Sequence, residues 1–199
     1  MKLYTKKTSR RLKRLANKVI KWIKSFFYNK EKITKKNKPL VSLLKDPKAS
    51  RKKTTGIRNN NFLNVKGSRW RGQVSVDDRG HAVFNHQREG LSAAIITLRT
   101  YWTKHKLKTI GQILSRWAPT YDTIGSLPGS PPNSPYKYSI FVQSRTGFHP
   151  NENLKLFTPG GDVNDAEQIY KVLSAMAEYE NYAGFAFSKT HFDEAINIV

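Results

Sequence analysis

The sequence predicts a small, mainly α-helical domain with one β-hairpin (an α+β fold), preceded by a basic helical arm. Three observations lead to this prediction. A length of 199 residues suits one domain of ordinary size with an extra segment. Residues 1–54 hold 20 of the 36 Lys and Arg residues but only two of the 14 acidic residues. From residue 55 onward, most apolar residues recur at helical spacing.

Residues 12–28 predict a basic amphipathic helix, followed by a Lys-rich linker that completes an arm over residues 1–54. A helix of this type binds anionic membrane surfaces or docks on a partner protein. Lys-rich arms also bind nucleic acid by releasing counterions, and a tail that only keeps the protein soluble is a further alternative. The residues predicted to contact membrane or nucleic acid are Arg10, Arg11, Lys13, Arg14, Lys18, Lys21, Trp22 and Lys24.

The predicted globular domain, residues 55–199, begins with a hairpin and continues with helices. Val74–Val76 and Ala82–Phe84 alternate in polarity around a turn at 77–80, which predicts two paired strands. A Pro-, Gly- and Ser-rich segment, Thr120 to Pro135, predicts a loop. Helical spacing predicts helices over Glu89–His105, Thr109–Trp117 (with Thr109 as N-cap), Tyr136–Ser144, about Asn164 to Glu180, and His191–Ile198.

Several chemistries lack support in the sequence. The chain has no cysteine, which excludes disulfides, thiolate zinc sites and a cysteine nucleophile. The five His residues show no paired metal-ligand spacing, and there is no Gly-rich phosphate loop or nucleophile elbow. We therefore predict no metal and no cofactor. No apolar run is long enough for a conventional transmembrane helix, and the arm lacks the continuous apolar block of a secretory signal.

Five short elements, in order along the chain, resemble a family of phage and prophage virion proteins often described simply as structural proteins. They are Gly56-Ile57-Arg58-Asn59-Asn60-Asn61, Trp70-Arg71-Gly72-Gln73 with Phe84, Gly90-Leu91-Ser92-Ala93-Ala94 with Leu98 and Tyr101, Leu107-Lys108-Thr109-Ile110, and Arg116-Trp117-Ala118-Pro119. One relative in that family is the lysis protein of enveloped double-stranded RNA phages, which digests peptidoglycan. The resemblance covers residues 56–199 and implies a lysozyme-like, lytic-transglycosylase-like fold.

The chain departs from the pattern of that family in three places. The family usually continues its Asn run with Pro-Gly-Asn, whereas here the residues are Phe62-Leu63-Asn64. A longer insertion, from Thr120 to Pro132, replaces a short acidic segment, and a common Glu-Asn-Gly pattern becomes Glu180-Asn181-Tyr182. Because loops vary at little cost to a fold, these changes bear on activity more than on architecture.

Glu180 is the predicted catalytic residue. Glycan cleavage needs a carboxylic acid that stays protonated near neutral pH and donates to the leaving oxygen. The resemblance implies a catalytic Glu near a helix C-terminus, and Glu180 ends a predicted helix before an aromatic-rich loop. Because the acid then comes late in the chain and the Asn-rich element early, a circular rearrangement of the usual order would be required. A solvated acid at a helix end is the alternative.

Three other acids are weaker catalytic candidates. Glu178 lies two residues before Glu180 and so faces elsewhere on the helix. Glu89 begins a helix, where an acid interacts well with the helix dipole. Asp122 follows the Trp-Ala-Pro element and could supply the second carboxylate that glycan hydrolysis normally uses.

Substrate contacts are predicted from the side chains that glycans usually meet. Amides can hydrogen-bond sugar N-acetyl and hydroxyl groups, although Asn runs equally often cap helices and satisfy loop backbone. Trp117 could also stack on a sugar, but its apolar helical face favours the core. The predicted substrate-binding residues are Asn59, Asn60, Asn61, Gln73, Trp70, Tyr121 and Tyr182.

These observations predict a virion-associated peptidoglycan-degrading enzyme, a lytic transglycosylase or muramidase, that acts in genome entry or lysis. Its expected partners are peptidoglycan, other virion proteins, and nucleic acid or an anionic membrane at the arm. Its expected location is the virion, inside the capsid or on an internal membrane, with action at the host envelope. The main alternative is a non-enzymatic virion protein that uses the same fold for binding. A dedicated nucleic-acid-binding protein is weaker, since no recognised motif supports it.

Overall fold

The computed structural model describes residues 54–121 and 132–199. The predicted amphipathic helix at 12–28, the other residues of the arm up to 53, and Asp122 lie outside these ranges. The predicted division of the chain at residue 54 therefore stays a prediction. The described residues are mainly helical with one two-stranded antiparallel sheet, which confirms the predicted α+β class. The lysozyme-like relationship stays a prediction.

The first described elements are one helical turn, α1 (Thr55–Arg58), and the hairpin strands β1 (Gln73–Val76) and β2 (Ala82–Phe84). The predicted hairpin is confirmed, with Val76 paired to Ala82 and an irregularity in register between Gln73 and Ser75. Asp77 stabilises the turn, because its carboxylate accepts the backbone N–H groups of Arg79 (2.9 Å) and His81 (2.8 Å). Such local carboxylate–backbone bonds are why Asp favours turns.

Five longer helices follow, and each coincides with a predicted one. The predicted N-cap Thr109 is confirmed, since its hydroxyl accepts the backbone N–H of Gln112 at 3.2 Å. Asp165 caps the fourth helix in the same way, accepting from Gln168 N at 2.9 Å. The helices are α2 (Gln87–Thr103), α3 (Ile110–Trp117), α4 (Pro135–Thr146), α5 (Ala166–Glu180) and α6 (Lys189–Ile196).

The predicted boundaries were wrong by one or two residues at several helix ends. Helix α2 begins at Gln87 rather than Glu89 and ends at Thr103 rather than His105. Lys106, shortly after this end, adopts a left-handed φ of 58°, through which a helix cannot continue. Helix α4 extends to Thr146 and stops at Gly147, whose φ of 79° suits a glycine C-cap. Helix α6 begins at Lys189 after Ser188, two residues before the predicted start.

One apolar core lies between the helices and the inner face of β2. Helix α2 packs against α6 and β2, while α4 packs against both α3 and α5. The fully buried residues include Leu98, Ile113, Leu173 and Phe192, one from each of α2, α3, α5 and α6. Each such side chain contributes about 1.5–3 kcal/mol when buried, so the helices are fixed tightly enough to position residues at their ends. Among the described residues, no helix is long and apolar enough to cross a membrane.

Candidate functional site

The C-terminal end of α5 is attached to the first described loop of the chain through Asn181. The amide of this buried residue donates to Ala177 O (2.7 Å) in its own helix and to Phe62 O (2.8 Å) in the early loop. Its carbonyl oxygen accepts the hydroxyl of Thr54, which begins α1. These bonds place Glu180, the last residue of α5, beside the Asn-rich segment at 59–64.

Asn64 contacts Glu180 directly. Its Nδ2 donates to Glu180 Oε2 at 3.0 Å across 116 residues of sequence. The backbone of Asn64 has a left-handed φ of 52°, a conformation that Asn tolerates better than most residues. Within the described residues, its Oδ1 is buried and has no hydrogen-bond partner. Asn64 therefore orients the Glu180 carboxyl group and retains one acceptor that is still unused.

Two tyrosines form the other side of the Glu180 site. The rings of Tyr138 and Tyr179 stack with 3.9 Å between centroids, and the Tyr138 hydroxyl donates to Met176 O at 3.1 Å. Burial raises the pKa of Tyr138 well above its ordinary value, and the charge of Glu180 and its hydrogen bond to this hydroxyl raise it further. Burial and the same charge raise the pKa of Tyr179. The half-buried Glu180 thus lies among phenol groups that stay neutral.

Glu178 lies in a different environment from Glu180. Both of its carboxylate oxygens accept from the Arg145 guanidinium, at 2.8 and 2.9 Å, and Gly184 N donates to it at 2.9 Å. Burial alone would raise the pKa of Glu178, but the hydrogen bonds from Arg145 and Gly184 and the charge of Arg145 hold it below the ordinary value. A carboxylate held ionised in this way is poorly suited to donate a proton.

The remaining catalytic candidates have structural partners or fall outside the described ranges. Glu89 lies in the first turn of α2, where its Oε2 accepts His86 N at 3.1 Å. A Cβ at Gly72 would lie 2.1 Å from the Glu89 carboxyl carbon, so this side chain also fills the space beside the 70–73 turn. These contacts account for Glu89 without catalysis. Asp122 lies outside the described residues.

The three successive asparagines hold the loop that leads into the hairpin. Asn61 is fully buried, donates to Val65 O (2.9 Å) and Ala82 O (2.8 Å), and accepts from Val65 N (2.9 Å). Asn59 donates to Asp77 Oδ2, and Asn60 donates to the carbonyls of Phe84 and Asn85. Of the two roles predicted for this run, these contacts fit the satisfaction of loop backbone. The enclosed amides of Asn59 and Asn61 are not placed to meet a glycan.

The other predicted substrate-binding residues do not form one cluster. Gln73 accepts from the backbone of Ser68 (3.2 Å) and Trp70 (3.3 Å), and the Trp70 indole donates to Lys66 O, so both side chains order the 66–73 loop. Tyr121 is 91% exposed at the edge of the described range. Tyr182 is the one that lies near Glu180 in sequence, and it is half exposed with its ring 5.5 Å from that of Phe185.

Two surface grooves lie away from the Glu180 carboxyl group. One, of about 420 Å³, is lined by residues of α2 and α6 together with Asn60 and Asn85. The other, of about 470 Å³, lies between the end of α2 and α3. Glu180 lines neither groove. Over residues 54–121 and 132–199, no group of three His, Asp or Glu side chains is arranged to hold a metal ion.

Sequence reasoning missed Asn64, Tyr138 and Asn181 as members of the site. The sequence carried a signal for two of them. Asn64 stands at the Asn of the Pro-Gly-Asn pattern of the resembled family, and Asn181 stands at the Asn of its Glu-Asn-Gly pattern. The comparison with those patterns drew attention to the residues that differ and not to these two that agree. Tyr138 gave no such signal, since its burial against α5 depends on how α4 packs.

One curated relative shares much of the chain. Protein P5 of Pseudoalteromonas phage PM2 is 34% identical over 132 residues, a match that covers 63% of this chain and 70% of the relative. The chain belongs to the phage protein family that includes Protein P5. This membership confirms the prediction from the sequence that the chain is a phage protein. No protein-family model matches the chain.

Proposed function

We propose that this protein is a virion-associated enzyme that cleaves the glycan strands of peptidoglycan, with Glu180 as its acid and base. The observation that carries the proposal is the position of Glu180 at the end of α5, half-buried, hydrogen-bonded by Asn64 and flanked by Tyr138 and Tyr179. Kinship with a phage protein supports a place in the virion.

The proposed reaction needs a single carboxyl group. Protonated Glu180 donates to the glycosidic oxygen as the bond from that oxygen to the sugar carbon breaks. The resulting carboxylate then takes a proton from a hydroxyl of the same sugar, whose oxygen closes an anhydro ring. A general acid and base of this kind contributes about 10²- to 10⁴-fold to the rate. If water replaced the internal hydroxyl, a second carboxylate would be needed, and Asp122 is the candidate.

Tyr138 contacts the carboxyl group of Glu180. This hydrogen bond raises the pKa of the phenol, so the phenol is the donor and the carboxylate the acceptor, while Met176 O also lies 3.1 Å from the same hydroxyl. The proposed chemistry therefore requires Glu180 to take up a proton before it donates to the glycosidic oxygen. The unused Oδ1 of Asn64 is a second acceptor close by, suited to an N–H or O–H group of a bound sugar.

A test of the proposal is to incubate the full chain with isolated peptidoglycan and identify the soluble products by mass spectrometry. Wild-type protein is expected to release anhydro-muramyl fragments, and Glu180→Gln to release none. Reducing-end fragments would indicate a hydrolase instead. Activity that survives in Glu180→Gln would exclude Glu180 as the acid, while an absence of products from both proteins would overturn the enzymatic proposal.

The second candidate function is a non-enzymatic virion protein that uses the fold as a binding module. Two observations favour it. Glu180 lines neither of the two grooves, and the amides of Asn59 and Asn61 are hydrogen-bonded to other groups of the domain. In this case the basic arm would hold other virion proteins to nucleic acid or to an anionic membrane. The peptidoglycan digestion separates the two candidates, because both retain the arm.

A further inference from the structure

A cluster of positive charge lies where α2 ends and α3 packs beside it. Residues 90–121 contain no acidic residue. Five residues of this stretch, after the end of α2 and on α3, form what we call the cationic face: Lys104, His105, Lys106, Lys108 and Arg116, of which Arg116 lines the groove between α2 and α3.

The side chains of the cationic face are close enough to repel one another. The pKa of His105 is lowered by loss of solvent and by the charges of Arg116 and Lys104, and that of Lys108 by loss of solvent and the charge of Lys106. None of the ion pairs among the described residues includes Lys104, Lys106, Lys108 or Arg116. The repulsion among these cations, which no ion pair offsets, lowers the stability of the fold. A binding function on this face would explain why they are present together.

Aromatic rings hold two of these cations in place. Lys108 Nζ lies 3.6 Å from the centroid of the Trp102 ring and donates to Trp102 O at 3.2 Å. The Arg116 guanidinium lies 5.3 Å from the centroid of the Tyr101 ring, which forms a wall of the groove. Lys104 and Lys106 are exposed. A cation at the C-terminus of a helix is favourable by itself. That effect accounts for Lys108, which donates to Trp102 O in the last turn of α2, and for Arg116 in the last turn of α3, but not for Lys106.

We propose that the cationic face binds the phosphate backbone of a nucleic acid. Several fixed cations beside an open groove of about 470 Å³ match a polymer with closely spaced negative charges. Tyr101, which lines the groove beside Leu107 and Arg116, offers an aromatic ring on which a base can stack. This site is separate from Glu180 and from the basic arm, and it does not depend on the proposed glycan cleavage.

The first test measures which lysines a nucleic acid covers in the full chain. Lysines are acetylated with and without a DNA oligonucleotide, and modification at each residue is measured by mass spectrometry. Lys104 and Lys106 are expected to become severalfold less reactive, while the equally exposed Lys137 and Lys155 keep their reactivity. Protection of all four to the same extent, or of none, would overturn the proposal, and so would protection by anionic phospholipid vesicles without protection by DNA.

The second test compares two full-length variants with the same change in charge. One carries Lys104→Gln, Lys106→Gln and Arg116→Gln, and the control carries Arg71→Gln, Lys137→Gln and Lys155→Gln. The slope of log binding constant against log salt is expected to become shallower by about 2 in the first variant and to change little in the control. Equal slopes for the two variants contradict the proposal. If the first variant fails to fold, the lysine protection in wild-type protein decides.

Discussion

Glu178 and Glu180 lie two residues apart on α5, and their surroundings give them opposite chemistry. Glu178 is held by the Arg145 guanidinium, whereas Glu180 meets the amide of Asn64 and the phenol of Tyr138. The sequence predicted that Glu180 ends a helix, because that depends on local spacing. It could not predict the partners of either acid, because Asn64 is 116 residues from Glu180 and Arg145 is 33 residues from Glu178.

At this scale we predict that Asn64→Gly lowers peptidoglycan cleavage about 10- to 100-fold, since a hydrogen bond to a charged group contributes about 1.5–3 kcal/mol. Glycine accepts the left-handed backbone of residue 64, so any fall in melting temperature should come from the lost hydrogen bond rather than from backbone strain. Initial rates of fragment release from peptidoglycan measure the effect. Full activity in Asn64→Gly would show that Asn64 does not position Glu180.

Asn61 gives a second prediction at the residue scale, concerning stability. Asn61→Ala leaves the buried Val65 N without its partner and removes one donor each from Ala82 O and from Val65 O, which keeps its bond from Ala82 N. An unsatisfied buried group costs about 1–3 kcal/mol, and the lost bonds add to this. We expect a loss of about 3 kcal/mol in the free energy of unfolding, measured by urea denaturation. Asn133→Ala, which removes an exposed bond to Pro119 O, should change it by less than about 0.5 kcal/mol.

At the scale of elements, periodicity identified the hairpin and each longer helix of residues 54–121 and 132–199, while the positions of the helix ends depended on single residues. Thr109 was recognisable as a cap because its side chain acts within three residues, and Asp165, which was not predicted to be a cap, acts over the same short distance. The end of α2 was not recognisable in the sequence. The left-handed backbone of Lys106 depends on the turn into α3, and no glycine at that position marks it. The contact between the end of α5 and the early loop could not be predicted either, since Asn181 bonds to Phe62 across 119 residues.

The Arg145–Glu178 ion pair joins α4 to α5 and predicts how stability varies with pH. The pKa of Glu178 is lower in the folded protein, so the pair stabilises the fold above the unfolded pKa of about 4.3, and this stabilisation is lost as pH falls through the folded pKa. Because Arg145 is partly exposed, we expect about 1 kcal/mol at pH 7. The free energies of unfolding of wild type and Glu178→Gln, measured by urea denaturation, should differ by this amount at pH 7 and converge only as pH falls below the folded pKa of Glu178. A difference that persists in acid would show that packing, not charge, is responsible.

At the scale of the whole molecule, the chain joins a strongly basic segment to a domain with nearly balanced charge. Of the formal net charge of +22, residues 1–54 carry all but a small part. Composition alone establishes this division, but it does not select a partner, because phosphate groups occur in both lipid headgroups and nucleic acid. The domain in turn uses residues from both of its ends to build one site, since Asn64 and Glu180 meet.

The arm predicts a steep dependence of polyanion binding on salt. Each neutralised phosphate releases counterions, so binding of the full chain to DNA or to anionic vesicles should weaken about tenfold or more for each doubling of salt. Fluorescence anisotropy with labelled DNA and co-sedimentation with vesicles measure the two partners separately. Binding that is insensitive to salt would instead favour docking through the apolar face of the predicted helix.

The proposed role of Glu180 in glycan cleavage is tested by comparing Glu180→Gln with Glu178→Gln. Both variants replace one carboxylate on the same helix, and the rate of fragment release from peptidoglycan at pH 7 is measured for each. We expect Glu180→Gln to lose about 10²- to 10⁴-fold and Glu178→Gln to stay within about threefold of wild type. Equal rates for Glu180→Gln and wild type, or a larger loss in Glu178→Gln, would contradict the assignment.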